Sequence, residues 1–202
     1  MLTLILIAAT VLVSWLAFNN ARLLERLILW PPAIDRQKQY DRLVTHGFIH
    51  ADWQHLLFNM ITLYFFGSQV ERWFVPYIGQ VGFALFYLSA ILVAILPTYL
   101  RHRHDPRYRS LGASGAVAAV LFSFILVEPW AMLLVFFVPV PAIVFAVLYT
   151  GYSIYMDRAR KDNVNHSAHL WGAAYGIVFL IAIAPKVVPM FLEKIANPTF
   201  GS

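Results

Sequence analysis

The chain has 202 residues, 60% of them hydrophobic and only 12% charged, with a formal net charge of +5. That composition excludes an ordinary soluble domain and fits a polytopic membrane protein. The absence of cysteine excludes disulfides and thiolate metal sites, and basic residues gathered in loops between apolar segments point to lipid headgroups rather than nucleic acid.

In chain order, six apolar segments stand out, at residues 2–18, 53–70, 77–100, 112–127, 130–155 and 169–183. Their lengths suit helices crossing a hydrocarbon core of about 30 Å, some tilted and some short. The expectation is one all-α domain over residues 1–202, a bundle of six transmembrane helices. No basic stretch precedes the first segment and no small-residue cleavage site follows it, so it reads as a retained helix rather than a signal peptide.

The linker at residues 19–52 is long and mixed. Apolar Leu27-Ile28-Leu29-Trp30 leads into Pro31-Pro32 and charged Asp35-Arg36-Gln37-Lys38, a composition suited to the membrane interface. The fourth segment opens Gly112-Ala113-Ser114-Gly115 and is the richest in small residues, which places it at the centre of the bundle. Pro139 and Pro141 are expected to kink or break the fifth segment, and the tail after Pro185 to be short and frayed.

Loops alternate sides of a membrane, so those after the first, third and fifth segments share a side. They lead into His50, Ser114 and His169, while His55 and Asn59 sit four residues apart on one helical face. A helix beginning at Ser114 has unpaired N–H groups and partial positive charge at that end, suited to a forming oxyanion. Gly-x-Ser-Gly alone is more often a small-residue packing patch, and Asn59 alone is equally helix-to-helix glue. Histidines inside membrane helices are costly, however, and their convergence favours chemistry. His169 is the best-placed base for Ser114, and since all ten carboxylates lie in loops or at segment ends the expected unit is a Ser114–His169 dyad. The Ser114 backbone N–H with the side chains of His55 and Asn59 would serve the oxyanion. A zinc protease is excluded by His50-Ala-Asp-Trp-Gln-His55, whose histidines are five apart with no glutamate between them. An aspartyl protease would need two carboxylates inside the bilayer. No cofactor or metal is expected.

From about residue 40 to residue 176 the chain resembles the rhomboid family of intramembrane serine proteases. The resemblance rests on His50-x4-His55-x3-Asn59, on Gly112-Ala113-Ser114-Gly115, and on His169-Leu170-Trp171-Gly172-x3-Gly176. It implies a six-helix bundle with Ser114 as nucleophile, His169 as general base, His55 and Asn59 at the oxyanion, and His50 supporting the mouth of the site. Glu71 and Arg72 resemble the family's acidic and basic structural pair, and Gly172 with Gly176 forms a G-x3-G that lets the fourth and sixth helices approach. It further implies a gate between the second and fifth helices capped by the fifth loop, transmembrane proteins as substrates, and a bacterial inner membrane as location.

Two features depart from the family. Some bacterial members carry, four residues after the serine, an aromatic that stacks on the imidazole; here that position is Ala118, leaving Trp171 or Tyr152 to hold His169. Twelve of the 15 Lys and Arg residues fall in the odd-numbered loops, which the positive-inside rule assigns to the cytoplasm, whereas bacterial family members open their sites on the opposite side. Two other readings remain: a client-binding relative without activity, and a transporter or haem protein using His50, His55 and His169 as ligands. Water would reach the site through a polar mouth at Thr45, His46, His50 and residues 165–167.

Overall fold

The computed structural model describes residues 1–135, 137–159, 162 and 164–198. Helix α1 (Leu2–Phe18) buries Thr3, Leu6, Thr10, Ser14 and Ala17, one stripe at three- and four-residue spacing, and turns the rest of its apolar surface outward. Residues 19–52 fold into three short helices, α2 (Ala21–Leu27), α3 (Pro31–Gln37) and α4 (Arg42–Thr45), then a 3-10 turn at His46–Phe48. The Asn20 side chain caps α2 by accepting from the N–H groups of Arg22 and Leu23. Buried Arg42 binds the segment together, its guanidinium donating to the carbonyls of Glu25 and Ile28 at 2.7 Å each.

Helix α5 (Trp53–Thr62) is N-capped by Asp52, which accepts the His55 N–H at 2.7 Å. It passes through a π-turn at Leu63–Gly67 into α6 (Ser68–His102). The gap expected at residues 71–76 is helical. The interruption lies instead at Gly79, where φ is 69°; Pro76 removes one N–H, but only a residue without Cβ takes the left-handed conformation cheaply. By length and composition, two helical stretches among the described residues are able to cross a membrane, Trp53–His102 and α9 (His166–Ile183); α1 and α7 (Ser114–Val127) are shorter apolar helices.

Helix α7 is the centre of the molecule, buried without a break from Gly115 to Ile125, as an all-round apolar helix should be, and packed chiefly on α9 and α6. Leaving it, the chain differs from expectation. The helix expected from residue 130 does not begin there; β1 (Met132–Val135) and β2 (Val138–Pro141) pair antiparallel as a hairpin, and α8 (Ala142–Ala159) starts only afterwards. Pro139 and Pro141 would each cost a helix a hydrogen bond, whereas a two-stranded edge tolerates them. They therefore precede the fifth helix rather than hinge it.

The tail is likewise more ordered than expected. Helix α10 (Val187–Ala196) follows Pro185, and the indole N–H of Trp130 donates to the Lys194 carbonyl at 2.7 Å. The Lys194 ammonium in turn donates to the Val127 carbonyl and to Glu128, at 2.8 and 2.9 Å. Arg160 and Lys161 of the fifth loop, and residues 199–202 of the tail, lie outside the described residues.

Candidate active site

Ser114 opens α7 and His169 lies one turn into α9, 55 residues away in sequence. His169 Nε2 is 2.8 Å from Ser114 Oγ, within hydrogen-bond reach for an imidazole to take the hydroxyl proton. The approach depends on glycine. A Cβ at Gly172 would overlap the Gly115 carbonyl oxygen, and one at Gly176 that of Ala119, so two turns of α9 lie directly on the backbone of α7. Gly115 is enclosed as well, facing the Ala94 methyl of α6. Ser123 locks the same contact further along, donating to the Ala119 carbonyl while lying 3.0 Å from that of Gly176.

The turn before Ser114 is set by two histidines. Gly112 has φ 116°, and an added Cβ there would fall 2.7 Å from His55 Cε1, so His55 rests against the open face of this glycine. His50, fully buried, lies edge-on to His55 at 4.9 Å between ring centroids. Its hydrogen bonds form a directed chain. The Ala113 N–H donates to His50 Nε2 at 3.4 Å, so Nδ1 carries the proton and donates to Ser14 Oγ at 3.0 Å; the Ser14 hydroxyl in turn donates to the Phe48 carbonyl, also at 3.0 Å. Burial pushes His50 down to about 3, which keeps the ring neutral, as an acceptor must be. With both nitrogens engaged, His50 has no free lone pair for a metal, and among the described residues no three His, Cys, Asp or Glu side chains converge.

Asn59 is buried, and its amide donates to the His55 carbonyl at 2.8 Å, leaving a second amide hydrogen for a neighbour. The ring against His169 is Tyr149 of α8, at 5.9 Å with 25° between planes. Tyr152 instead meets His166 edge-on, and Trp171 is half exposed. On the serine's own helix, Ala118 offers no surface for the imidazole. Sequence reading passed over Tyr149, an aromatic four residues after Phe145 on α8 with nothing local to mark which way it faces. It passed over Ser14 too, whose signal is the small polar stripe of α1.

His166, three residues before His169, lies edge-on to it at 5.7 Å and is 3.1 Å from the Asp162 carboxylate through Nε2. The expected polar mouth is mostly engaged: Thr45 donates to the Leu27 carbonyl, and Asn165 caps α9 while joining Thr98 to Ser110. His46 is buried with neither ring nitrogen hydrogen-bonded, and burial lowers it to about 4. It lines a small cavity with Ser110, Asn165 and Ser114 itself.

The first and third loops close over this end. Leu29 and Ser110 exchange backbone hydrogen bonds, Trp30 donates to the Pro106 carbonyl, and Arg109 sits 4.4 Å over the Trp30 ring. Glu71 and Arg72 lie elsewhere. Glu71 is buried and accepts the N–H groups of Leu2 and Thr3 and the Thr3 hydroxyl, capping α1, while Arg72 is exposed and makes no ion pair with it among the described residues.

The family model described as the Rhomboid domain matches residues 37–186, which include Ser114, His169, His50, His55, Asn59 and Tyr149 but not Ser14. The chain belongs to the rhomboid family. It is 35% identical over 194 residues to the mitochondrial RHOMBOID-like protein 12 of Arabidopsis thaliana, covering 88% of this chain and 56% of that protein. The chloroplastic Rhomboid-like protein 11 of the same plant is 33% identical over 155 residues, 69% of this chain and 51% of that one. YdcA of Bacillus subtilis is 26% identical over 188 residues, 86% and 84% of the two chains. The chain thus spans just over half the length of its plant relatives. Rhomboids are membrane-embedded, and typically serine proteases.

Proposed function

We propose that this rhomboid is an intramembrane serine endopeptidase that cuts peptide bonds in or beside transmembrane segments of other membrane proteins. The observation that carries the reading is the 2.8 Å contact between His169 Nε2 and Ser114 Oγ at the N-terminus of a buried helix. His169 takes the hydroxyl proton as Ser114 attacks the carbonyl, and returns it to the leaving amine. Water then hydrolyses the acyl-serine, drawn from the cavity that Ser114 shares with His46, Ser110 and Asn165. The oxyanion is met by the Ser114 N–H, the free amide hydrogen of Asn59 and His55. Tyr149 holds the plane of the base. A substrate helix must unwind locally, since its carbonyls are otherwise occupied.

The chain forms one domain and crosses the bilayer six times. Support comes from the 50-residue helical stretch Trp53–His102, roughly 75 Å long at 1.5 Å per residue and so more than twice a core of about 30 Å, which is interrupted at Gly79. The catalytic end lies on the side where the first and third loops meet. Relatives named for mitochondria and chloroplasts stand beside a bacterial one, so they do not favour the bacterial inner membrane over an organelle membrane.

The test is labelling of solubilised protein with a fluorophosphonate, alongside cleavage of a reporter transmembrane substrate. Wild type is expected to react and cut, and both Ser114→Ala and His169→Ala to lose both activities while keeping the wild-type helical spectrum. Labelling retained by Ser114→Ala would remove the nucleophile assignment. A folded wild type that neither labels nor cuts would favour client binding without chemistry.

A further inference from the structure

The hairpin of β1 and β2, at the end of α7 remote from Ser114, is apolar on both faces. Its register sets Leu133 opposite Val140 and Val135 opposite Val138 on one face, and Met132 opposite Pro141 and Leu134 opposite Pro139 on the other. The first face is turned to the core through buried Leu133, with Val135 packed beside it. The second is turned away, with Leu134 76% exposed, and the tip residue Phe137 is 96% exposed. A hairpin with one face in water alternates apolar with polar side chains. This one does not, and no charged residue or histidine occurs from Pro129 through Met156.

The backbone is edited in the same sense. The Ala142 N–H donates to the Ala131 carbonyl at 2.9 Å, which makes that pair hydrogen-bonded. By alternation, the 132–141 and 134–139 pairs are not hydrogen-bonded and direct their backbone groups away from the partner strand. On β2 those positions are Pro139 and Pro141, which have no N–H to present. The outer edge of β2 therefore exposes no donor, and an unpaired donor is a group that hydrocarbon cannot satisfy. Phe137 also has φ 66°, a conformation that hairpin tips ordinarily give to glycine or asparagine. Its backbone strain is not offset by burial of the ring within the protein.

We infer that this hairpin is a lipid anchor, its tip and outer face lying among the acyl chains of the leaflet opposite the catalytic end. Acyl chains are the occupant because the outer face continues directly into the exposed apolar side of α8, at Val144, Val147 and Leu148, in a chain of a membrane-embedded family. The polar base of the hairpin, where Trp130 and the Glu128–Lys194 ion pair meet, marks the headgroup level. The inference is independent of the catalytic reading.

The chain has no cysteine, so Phe137→Cys or Leu134→Cys carries a single NBD label at a position that makes little or no protein contact. In phosphatidylcholine–phosphatidylglycerol vesicles, either label is expected to emit blue-shifted light, to lose most of its fluorescence to doxyl-labelled lipids and to resist aqueous iodide. A label at Arg107→Cys in the third loop, an exposed position, should be quenched by iodide. Iodide quenching at both hairpin positions, without quenching by doxyl lipids, would overturn the anchor. So would energy transfer between hairpin labels of two copies, persisting when the protein is diluted in lipid, since the outer face would then be covered by a second chain.

Discussion

Helices α9 and α8 both flank the serine's helix, one carrying His169 and the other the ring against it, yet they are seated differently. Helix α9 lies on the backbone of α7, with Gly172 against Gly115 and Gly176 against Ala119, where one methyl group has no room. Helix α8 buries only Ala142, Ala146 and Ser153 along its 18 residues. His169 thus rides on the closely seated helix, while Tyr149, the ring against it, rides on the other. Backbone contact fixes the distance from Ser114 to His169; side-chain contact fixes the plane of the imidazole. Movement of α8 to admit a substrate would disturb the second and spare the first.

The strongest way to break this comparison is at the rigid contact. Gly176→Leu should cost about 3 kcal/mol or more, because the overlap is with backbone rather than a flexible side chain. Thermal unfolding in detergent reads it, and an unchanged midpoint would mean the two helices are not in backbone contact. Next comes the support under the serine's turn. His50→Ala leaves the buried Ala113 N–H without its acceptor, so fluorophosphonate labelling should slow by roughly tenfold to a hundredfold, the equivalent of about 1–3 kcal/mol. An unchanged rate would show that the turn holds itself.

The loosely held side should give smaller effects. Tyr149→Leu is expected to lower kcat by roughly tenfold or less with KM unchanged, the range of one aromatic contact. Adding Ala118→Tyr to that variant should restore part of the loss, by supplying a ring from the serine's own helix. A change confined to KM would place Tyr149 on the substrate instead.

The smallest effect is expected at the surface. Asp35 accepts from the Tyr99 hydroxyl and pairs with Arg103 at 3.4 Å, and the Tyr99 hydrogen bond, with Arg103 adding, holds its carboxyl below the ordinary 3.8. Its contribution is therefore complete above pH 4 and is lost as pH falls through the lowered value. Asp35→Asn should leave labelling unchanged at neutral pH and shift unfolding by about 1 kcal/mol at most. A larger loss at neutral pH would show that α3 braces the site.

How much could be read beforehand differs between these regions for physical reasons. Ser114, His169, His50, His55 and Asn59 are polar groups in apolar surroundings, and such residues stand out in a membrane protein's sequence. Gly172 and Gly176 were visible as a spacing. Tyr149 was not, because an aromatic in an apolar helix looks the same whether it faces lipid, core or a catalytic ring. Nor was the role of Glu71 as the cap of α1, since its partners, Leu2 and Thr3, lie 68 or 69 residues away. The hairpin carries no local mark either, because Trp130 to Tyr155 is apolar throughout and apolarity without periodicity leaves strand and helix undistinguished.

The sequence by itself determined the apolar solvent, the order of the apolar segments and the polar groups set among them, because composition and the rarity of polar residues in apolar surroundings are local properties. Tertiary structure alone decided which ring faces His169, which nitrogen of His50 carries the proton, where the chain turns at Gly79 and how β1 pairs with β2. Each of those depends on a partner distant in sequence or on one backbone angle that no local pattern encodes.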